Sequence, residues 1–177
     1  MYSGLKIHIF YLSPMTLKPI RTLLIPCLFM LAFGTVGQTI EGNKMDQLDF
    51  MIGEWIGTST VYEDGAISKK GSAYQKISYD LNRSIIVIEL SSEFLQLHTI
   101  IRYDEQDETY YYYPFSERGT NRYRAEYEDE KLTVWSSESN RFIFSKPSEI
   151  TFREYGERLV DGQWVKYFED NFQIVPD

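Results

Sequence analysis

Tyrosines and carboxylates are the residues with which this sequence is best equipped for chemistry. Four consecutive tyrosines, Tyr110–Tyr113, would place two phenol groups on each face of an extended strand, because side chains alternate there. We predict that Tyr111 and Tyr113 face inward, where they would line a cavity and orient a ligand by hydrogen bonding. Plain packing of the inward pair in a filled core is the alternative.

Glu89 is a candidate for acid–base chemistry because it interrupts the apolar strand Ile85–Leu90. Burial would raise the pKa of such a carboxyl group, which could then act as a general base or bind a polar group of a ligand. The alternation of the strand does not decide whether Glu89 faces the interior or the solvent. A solvated position at the end of the strand is the interpretation that we favour.

Two charged clusters have both a functional and a structural explanation. The acidic run 104–108 lacks the glycine and the spacing of a calcium-binding loop, and a solvated hairpin turn accounts for it. Arg118, Arg122 and Arg124 would either meet an anionic ligand or pair with glutamates on the outer face of a sheet. We favour the outer face for these arginines.

The sequence lacks the common catalytic and metal-binding motifs. Beyond residue 37 it has one histidine, His98, so a two-histidine metal site has no second ligand. A glycine-rich phosphate loop and the Gly-x-Ser-x-Gly motif are also missing. We assign no catalytic residues and no metal, although acid–base catalysis by a buried carboxylate with a tyrosine stays open.

Residues 1–37 have the composition of a secretory signal peptide. Lys18 and Arg21 precede the apolar segment 22–36, which ends in small residues. This segment is shorter than the ~20 residues that a membrane-spanning helix needs, and Pro26 interrupts it. We predict cleavage near residue 37 and a secreted or periplasmic protein without a stable membrane anchor.

Removal of the signal peptide would leave a strongly acidic chain without cysteine. Lys6, Lys18 and Arg21 are the charged residues of the removed segment, so 15 of the 18 basic residues remain against 26 acidic ones, a net charge of −11. Such a surface repels nucleic acid, whose affinity depends on neutralised phosphates. Cys27, the single cysteine, lies in the predicted signal peptide, which excludes disulfides from the mature protein.

From residue 54 onward, short segments of alternating apolar and polar residues are separated by polar turns, as in an all-β protein. The Asp64-Gly65 pair is the strongest hairpin signal. In segment 94–103 the odd-numbered residues are expected to face inward, and so are those from Ala73 to Leu81. The ten predicted strands are 54–62, 67–80, 84–90, 94–103, 108–115, 121–127, 131–135, 141–144, 149–155 and 164–175.

We predict one domain, residues 38–177, folded as a ten-stranded antiparallel β-barrel. Met45–Ile52 is the one segment with helical spacing, and its apolar residues would plug one end of the barrel. A two-layer sandwich fits the same number of strands. The helical segment directly before Gly53-x-Trp55 favours the barrel.

Residues 48–57, with the pattern Leu-x-x-Met-Ile-Gly-x-Trp-x-Gly, resemble the opening of the calycin group, and within it of the DUF1579 and nitrobindin-like ten-stranded barrels. The Tyr103-Asp104 turn before the aromatic strand 110–113 and the closing segment 164–172 are also similar to that group. The resemblance covers residues 46–175. It implies a calycin-like barrel that encloses a binding cavity.

The resemblance also implies a structural floor for the barrel. In calycins the tryptophan of the Gly-x-Trp motif packs across one end, and an arginine from a late strand lies on its ring. Gly53 and Trp55 match the motif, and Arg153 is the candidate arginine because the last predicted strand has none. This pair would support the fold rather than a reaction.

Haem is disfavoured, and we expect no cofactor. Nitrobindin-like proteins bind haem through a histidine near the end of the chain, whereas no histidine follows His98 in this sequence. The alternation of its strand places His98 on the outer face.

The sequence therefore predicts an exported β-barrel that binds a small hydrophobic or aromatic molecule, with ligand and oligomeric state left open. One alternative is an isomerase- or hydrolase-type enzyme that uses a buried carboxylate and a tyrosine. Another is a protein-interaction module with a filled core. The predicted cavity residues are Trp55, Tyr79, Tyr103, Tyr111, Tyr113 and Phe168.

Overall fold

The computed structural model describes residues 42–176, so the predicted signal peptide, residues 1–37, lies outside the described residues. A 3₁₀-helix, Lys44–Met51, precedes eleven β-strands. No helix in this part of the chain is long and apolar enough to cross a membrane. The strands are β1 (Gly53–Glu63), β2 (Ala66–Asp80), β3 (Ile85–Ser92), β4 (Gln96–Asp104), β5 (Thr109–Ser116), β6 (Gly119–Thr120), β7 (Tyr123–Glu128), β8 (Lys131–Ser137), β9 (Asn140–Ser148), β10 (Thr151–Val160) and β11 (Gln163–Ile174).

Ten of these strands form one closed antiparallel ring. Neighbours follow the order β4-β3-β2-β1-β11-β10-β9-β8-β7-β5, and the pairing of β4 with β5 closes the ring. The two-residue strand β6 pairs with β5 beside it. The predicted all-β class and ten-stranded barrel are confirmed, and the ten predicted strands correspond to β1–β5 and β7–β11.

Tight turns set the register of neighbouring strands. Asp64 (φ 49°) and Gly65 (φ 77°) connect β1 to β2, as the Asp-Gly pair predicts. Asp161 (φ 49°) and Gly162 (φ 78°) repeat this conformation between β10 and β11. Two consecutive positive φ values give the turn a twist that matches that of the paired strands.

Side chains alternate between the barrel interior and the outer face. The buried residues Ala73, Gln75 and Ile77 of β2 belong to the predicted inward set. Leu81 and Leu95 were also expected to face inward. They are 65% and 47% exposed, because Leu81 lies beyond the end of β2 and Leu95 lies before the start of β4.

The structure reverses the predicted orientation of the tyrosine strand. Tyr110 and Tyr112 belong to the hydrophobic core, and Tyr112 lies opposite the buried Ile101 of β4. Tyr111 and Tyr113, which were predicted to face inward, therefore point to the outer face. Four consecutive tyrosines fit either orientation of the strand equally well. The pairing of β5 with β4 decides which two of them face the core.

The 3₁₀-helix lies at one end of the barrel, which we call the closed end. Its residues Met45, Leu48 and Met51 are buried in the same core cluster as Trp55. The indole Nε1 of Trp55 donates a hydrogen bond to the Met51 carbonyl oxygen at 3.0 Å. This bond ties the first strand to the helix that precedes it.

Gly53 provides the space in which the Trp55 ring packs. Its φ of 150° is one that other residues rarely adopt, and an added Cβ would lie 2.7 Å from Ile174 Cδ1 and 3.2 Å from the Trp55 ring. The Gly-x-Trp motif is therefore a packing unit of the closed end.

The junction between β5 and β7 is the shortest in the ring. Three residue pairs connect Tyr110–Tyr112 with Tyr123–Ala125, whereas β4 pairs with β5 over seven. Fewer backbone hydrogen bonds therefore hold the ring together at this junction.

Candidate functional site

Two carboxyl groups lie side by side inside the barrel, on the side away from the 3₁₀-helix. Glu154 on β10 is directly opposite Asp170 on β11, and Asp170 is opposite Ser59 on β1. The three residues are 6%, 3% and 8% exposed, respectively. Directly opposed residues have Cβ atoms roughly 5 Å apart, so the two carboxyl groups share one water-poor environment.

This environment changes the protonation of both groups. Burial, and then the charge of Asp170, raises the pKa of Glu154 well above its ordinary value, against a hydrogen bond from Gln75 that lowers it. Burial raises the pKa of Asp170 to about 6, although a hydrogen bond from Ser59 lowers it. Burial therefore favours the protonated form of both carboxyl groups, relative to the same groups in water.

Gln75 and Tyr112 complete the polar part of the interior. Gln75 is 1% exposed. The Tyr112 hydroxyl accepts a hydrogen bond from Thr99 Oγ1 at 3.4 Å, and burial, followed by the charge of Glu154, raises the pKa of this phenol. We call the following five residues the polar layer: Ser59, Gln75, Tyr112, Glu154 and Asp170.

A β-bulge places two aromatic rings next to the polar layer. The register between β10 and β11 shifts after Gly156, and Tyr167 is the extra residue on β11. A Cβ added at Gly156 would lie 2.2 Å from the Phe168 ring and 2.7 Å from the Tyr167 ring. Glycine at this position is therefore required for both rings to occupy the barrel end.

Further rings surround this end of the barrel, which we call the open end. The Phe142 ring centroid lies 6.0 Å from that of Phe168, 6.3 Å from that of Tyr123 and 6.4 Å from that of Tyr112 in the polar layer. These rings are half-buried. We call the set at the open end the aromatic mouth: Tyr123, Phe142, Tyr167 and Phe168.

Tyr167 also connects the aromatic mouth to Asn140. A hydrogen bond from Asn140 stabilises the phenolate form, but the larger effect is burial, which raises the pKa of Tyr167 to about 12. The guanidinium of Arg158 lies 4.9 Å from the same ring. The phenol is therefore uncharged at neutral pH and serves as a hydrogen-bonding edge of the mouth.

Three of the predicted cavity residues lie at the closed end instead. Trp55 packs under the helix, and the Tyr79 hydroxyl lies 2.7 Å from the Met45 carbonyl oxygen. The Tyr103 ring meets Tyr110 edge-on at 5.0 Å, beside a small pocket of about 240 Å³. These contacts attach the helix to the barrel, away from the polar layer.

Of the other predicted cavity residues, Phe168 belongs to the aromatic mouth, whereas Tyr111 and Tyr113 lie on the outer face. The Tyr111 ring is covered by Arg122 at 4.6 Å, and its hydroxyl donates to Asp107 Oδ2 at 2.5 Å. Tyr113 lies beside it, with 6.2 Å between the ring centroids. Both lie outside the barrel interior: Tyr111 is buried under Arg122, and Tyr113 is half-buried.

Arg153 does not lie on the Trp55 ring as the resemblance implied. The ring that stacks on Trp55 is that of Phe152, with centroids 5.2 Å apart. Arg153 is the next residue along β10 and therefore points outward, where its Nε donates to Glu169 Oε1 at 2.6 Å. Its guanidinium also lies 4.8 Å from the Tyr155 ring.

Glu89 and His98 face each other on the outer side of β3 and β4 and are both exposed. The inward residues of β3 are Ile86, Ile88 and Leu90. The alternative that we favoured for Glu89, contact with solvent, agrees with this position.

Sequence reasoning missed Glu154 and Asp170. The signal that identifies them is their alternation with aromatic residues, because Phe152 precedes Glu154 by two positions and Phe172 follows Asp170 by two. Both phenylalanines are core residues. Carboxylates that share the face of buried phenylalanines are interior carboxylates.

A groove of about 1210 Å³ lies mainly on the outer face of β1, β2, β10 and β11. It is larger than the pocket at the closed end, but its charged side chains already have partners. Glu169 is paired with Arg153 and Lys166, and Glu93 accepts hydrogen bonds from Ser72. We therefore place the candidate site at the polar layer, where buried polar groups are incompletely paired.

The polar layer combines two carboxyl groups, an amide and two hydroxyl groups. Among residues 42–176 no three His, Cys, Asp or Glu side chains are placed to hold a metal ion together. The arrangement can bind one polar group of a ligand by several hydrogen bonds. It can also exchange a proton with a ligand, because burial raises the pKa of both carboxyl groups.

Comparisons with known proteins do not assign a family. No protein-family model matches the sequence, and no curated protein matches it. Among solved structures, the chain is similar to a protein of unknown function from the DUF3598 family of Nostoc punctiforme. The sequences are 7% identical, the TM-score is 0.27, and the match covers 74% of this chain and 98% of that chain. The barrel architecture is established by the ring of strands itself.

Proposed function

We propose that this protein is an exported β-barrel that binds a small, largely apolar or aromatic molecule at the open end. The neighbouring buried carboxyl groups of Glu154 and Asp170, directly inside the aromatic mouth, carry this proposal. Carboxylates are almost never fully buried unless they are paired with a partner. A ligand that binds these two carboxyl groups would explain why they are buried.

The aromatic mouth supplies the apolar surface for such a ligand. A molecule that buried about 300 Å² of apolar surface would gain roughly 7 kcal/mol at ~25 cal/mol per Å². Association costs of at least ~4 kcal/mol would leave weak binding. Hydrogen bonds to the polar layer therefore decide both the affinity and the selectivity of the site.

Export and family membership are part of the same proposal. The signal-like segment 1–37 supports secretion or a periplasmic location, and the Gly-x-Trp packing unit supports kinship with the DUF1579 and nitrobindin-like calycins. The position of His98 on the outer face supports a ligand other than haem. N-terminal sequencing of protein from the culture medium or periplasm would give a start near residue 38, and an intact residue 1 would contradict export.

Native mass spectrometry of protein purified from its own source tests the binding function. The expected result is a co-purified small molecule that is released on unfolding. In parallel, the melting temperature is measured across a panel of lipids and porphyrins. No bound molecule and no shift of melting temperature across the panel would overturn the proposal.

A pair of phenylalanine variants locates the binding site. Phe168→Ala removes a ring of the aromatic mouth and lowers the affinity for the bound molecule by at least about ten-fold, since buried aromatic contacts dominate such sites. Phe115→Ala removes a ring that is 41% exposed on the outer face of β5 and is the matched control. Equal losses in both variants would place the ligand elsewhere.

A proton-transfer enzyme is the second candidate, favoured by the directly opposed, buried carboxyl groups of Glu154 and Asp170, whose pKa values are both raised by burial. Asp170 would remove a proton from a carbon beside a substrate carbonyl while Glu154 donates a hydrogen bond to the carbonyl oxygen. Return of the proton to another carbon completes an isomerisation. Incubation of the bound molecule with the protein in D₂O tests this: deuterium enters the molecule with the wild-type protein but not with Asp170→Asn. No incorporation would exclude the enzyme and leave the carrier.

A further inference from the structure

Acceptor oxygens without a donor are concentrated in and beside the candidate site. Within residues 42–176, three buried side-chain oxygens lack a hydrogen-bond partner: Gln75 Oε1, Asp170 Oδ1 and Asn140 Oδ1. Gln75 and Asp170 belong to the polar layer, and Asn140 bonds Tyr167 of the aromatic mouth. All three are acceptors. Two donors of the polar layer are already used, since Gln75 donates to Glu154 and Ser59 donates to Asp170.

The burial of these acceptors makes their lack of a partner significant. Gln75 and Asp170 are 1% and 3% exposed, and buried polar groups in folded proteins almost always have a partner. The group that completes this site must therefore donate hydrogen bonds. A carboxylate or ether of a ligand would add a fourth acceptor to three that are unsatisfied.

The charge of the site also favours a ligand that donates hydrogen bonds. The basic side chains closest in sequence, Arg153 and Lys166, are paired with Glu169 on the outer face. Among residues 42–176, no basic side chain contributes to the pKa shift of either interior carboxyl group. An ion with several N–H donors would satisfy the charge and the acceptors together.

The aromatic mouth is compatible with such a cation. Rings attract positive charge through their faces, and the Phe142 ring connects Tyr112 of the polar layer with Tyr123 and Phe168 at the mouth. A cation with an apolar body would therefore meet aromatic rings beside the polar layer.

We propose that the ligand is an amine, whose protonated amino group binds Asp170 and Gln75 while its apolar or aromatic body lies against the aromatic mouth. This inference rests on the proposed function and names the ligand class of the same site. The ammonium group donates to the free oxygens of both residues. Asp170 supplies the compensating charge.

Matched probes that differ only in the polar end test this inference. Binding at pH 7 is measured by titration calorimetry for 2-phenylethylamine and tryptamine, for their uncharged counterparts 2-phenylethanol and 3-ethylindole, and for the anions 3-phenylpropionate and indole-3-propionate. The amines are expected to bind at least about ten-fold more tightly than either counterpart, because a buried charge pair with hydrogen bonds is involved. Asp170→Asn is expected to abolish this preference.

Glu169→Gln is the matched control variant. It removes one carboxylate from the adjacent position of β11, on the outer face, and so changes the net charge by the same amount as Asp170→Asn. It is expected to retain the preference for amines. Equal loss in both variants would assign the cation to the outer face and overturn the inference. Gln75→Met provides the interior test if Asp170→Asn does not fold, because it removes the second unpaired acceptor, and a full amine preference in Gln75→Met then overturns the inference.

The possible failures can be distinguished. Tight binding of the uncharged or anionic probes would overturn the amine assignment and leave the proposed binding function intact. No binding by any probe, together with no response to the lipid and porphyrin panel, would overturn both.

Discussion

Glu154 on β10 and Asp170 on β11 face each other across the inner surface of the barrel, and both are more than nine-tenths buried. Folding raises the pKa of each carboxyl group, mainly through burial. A group whose pKa is raised by folding binds its proton more tightly in the folded chain than in the unfolded chain. The pair therefore makes the stability of the protein depend on pH.

We predict that the protein loses stability as the pH rises through about 6. The contribution of Asp170 is fully present below its ordinary pKa of 3.8 and is lost as the pH passes its folded value of about 6. This difference corresponds to roughly 3 kcal/mol, at ~1.36 kcal/mol per pKa unit. Urea unfolding of the wild-type protein and of Asp170→Asn over this pH range measures it. Subtracting the free energies of unfolding of the two proteins at each pH removes the contribution of the other carboxylates. If this difference does not change with pH, Asp170 is not the group that causes the pH dependence.

Gly156→Ala should disturb the aromatic mouth. The added methyl group would overlap the Phe168 and Tyr167 rings, so we expect a loss of about 1–3 kcal/mol in the free energy of unfolding. Gly42→Ala is the control, because a Cβ there meets nothing within 4 Å. Thermal unfolding of both variants measures the effect, and a Gly156→Ala variant as stable as the control would mean that the rings lie elsewhere.

Trp55→Ala should weaken the closed end. Trp55 is 1% exposed, stacks on Phe152 and bonds the Met51 carbonyl oxygen, so the substitution should cost about 3–5 kcal/mol. Trp164→Ala, on the outer face beside Trp135 and Arg141, is the matched control and should cost clearly less. Denaturant unfolding with tryptophan fluorescence distinguishes them. The reverse order would contradict the described packing.

A lysine pair tests the orientation of β5. Tyr112→Lys would place a charge in the core and should lower the free energy of unfolding by several kcal/mol, since buried charges without a partner are strongly unfavourable. Tyr113→Lys should be tolerated because its side chain reaches solvent. Circular dichroism melting curves compare the two, and a more harmful Tyr113→Lys would restore the orientation predicted from sequence.

The strands could be predicted because alternation and turn residues act locally. The Asp64-Gly65 turn and the inward set Ala73, Gln75 and Ile77 need no knowledge of distant residues. The orientation of Tyr110–Tyr113 could not be predicted in this way. Each tyrosine fits a core or a surface, and the pairing of Tyr112 with Ile101 decides between them.

The candidate site depends on long-range pairing for the same reason. Glu154 and Asp170 are sixteen residues apart, and they are neighbours only because β10 and β11 pair in one register. The resemblance to calycins predicted Arg153 as the partner of the Trp55 ring, which is wrong, because the ring on Trp55 is that of Phe152 and Arg153 has the opposite parity on β10. Glu154 and Asp170 each lie two residues from a buried phenylalanine and so share its face of the strand. This spacing is what identifies them as interior carboxylates from the sequence.

The short junction between β5 and β7 is the place where we expect neighbouring strands of the barrel to separate first. Three residue pairs connect these strands, so thermal fluctuations separate them at a lower cost than strands with longer ladders. Amide protons of Tyr123 and Ala125 then exchange with solvent ahead of those in β1 or β10. We expect each such event to open a gap beside Tyr112, because Tyr112 pairs with Tyr123 at this junction, and to give water access to the buried carboxyl groups through the side of the barrel.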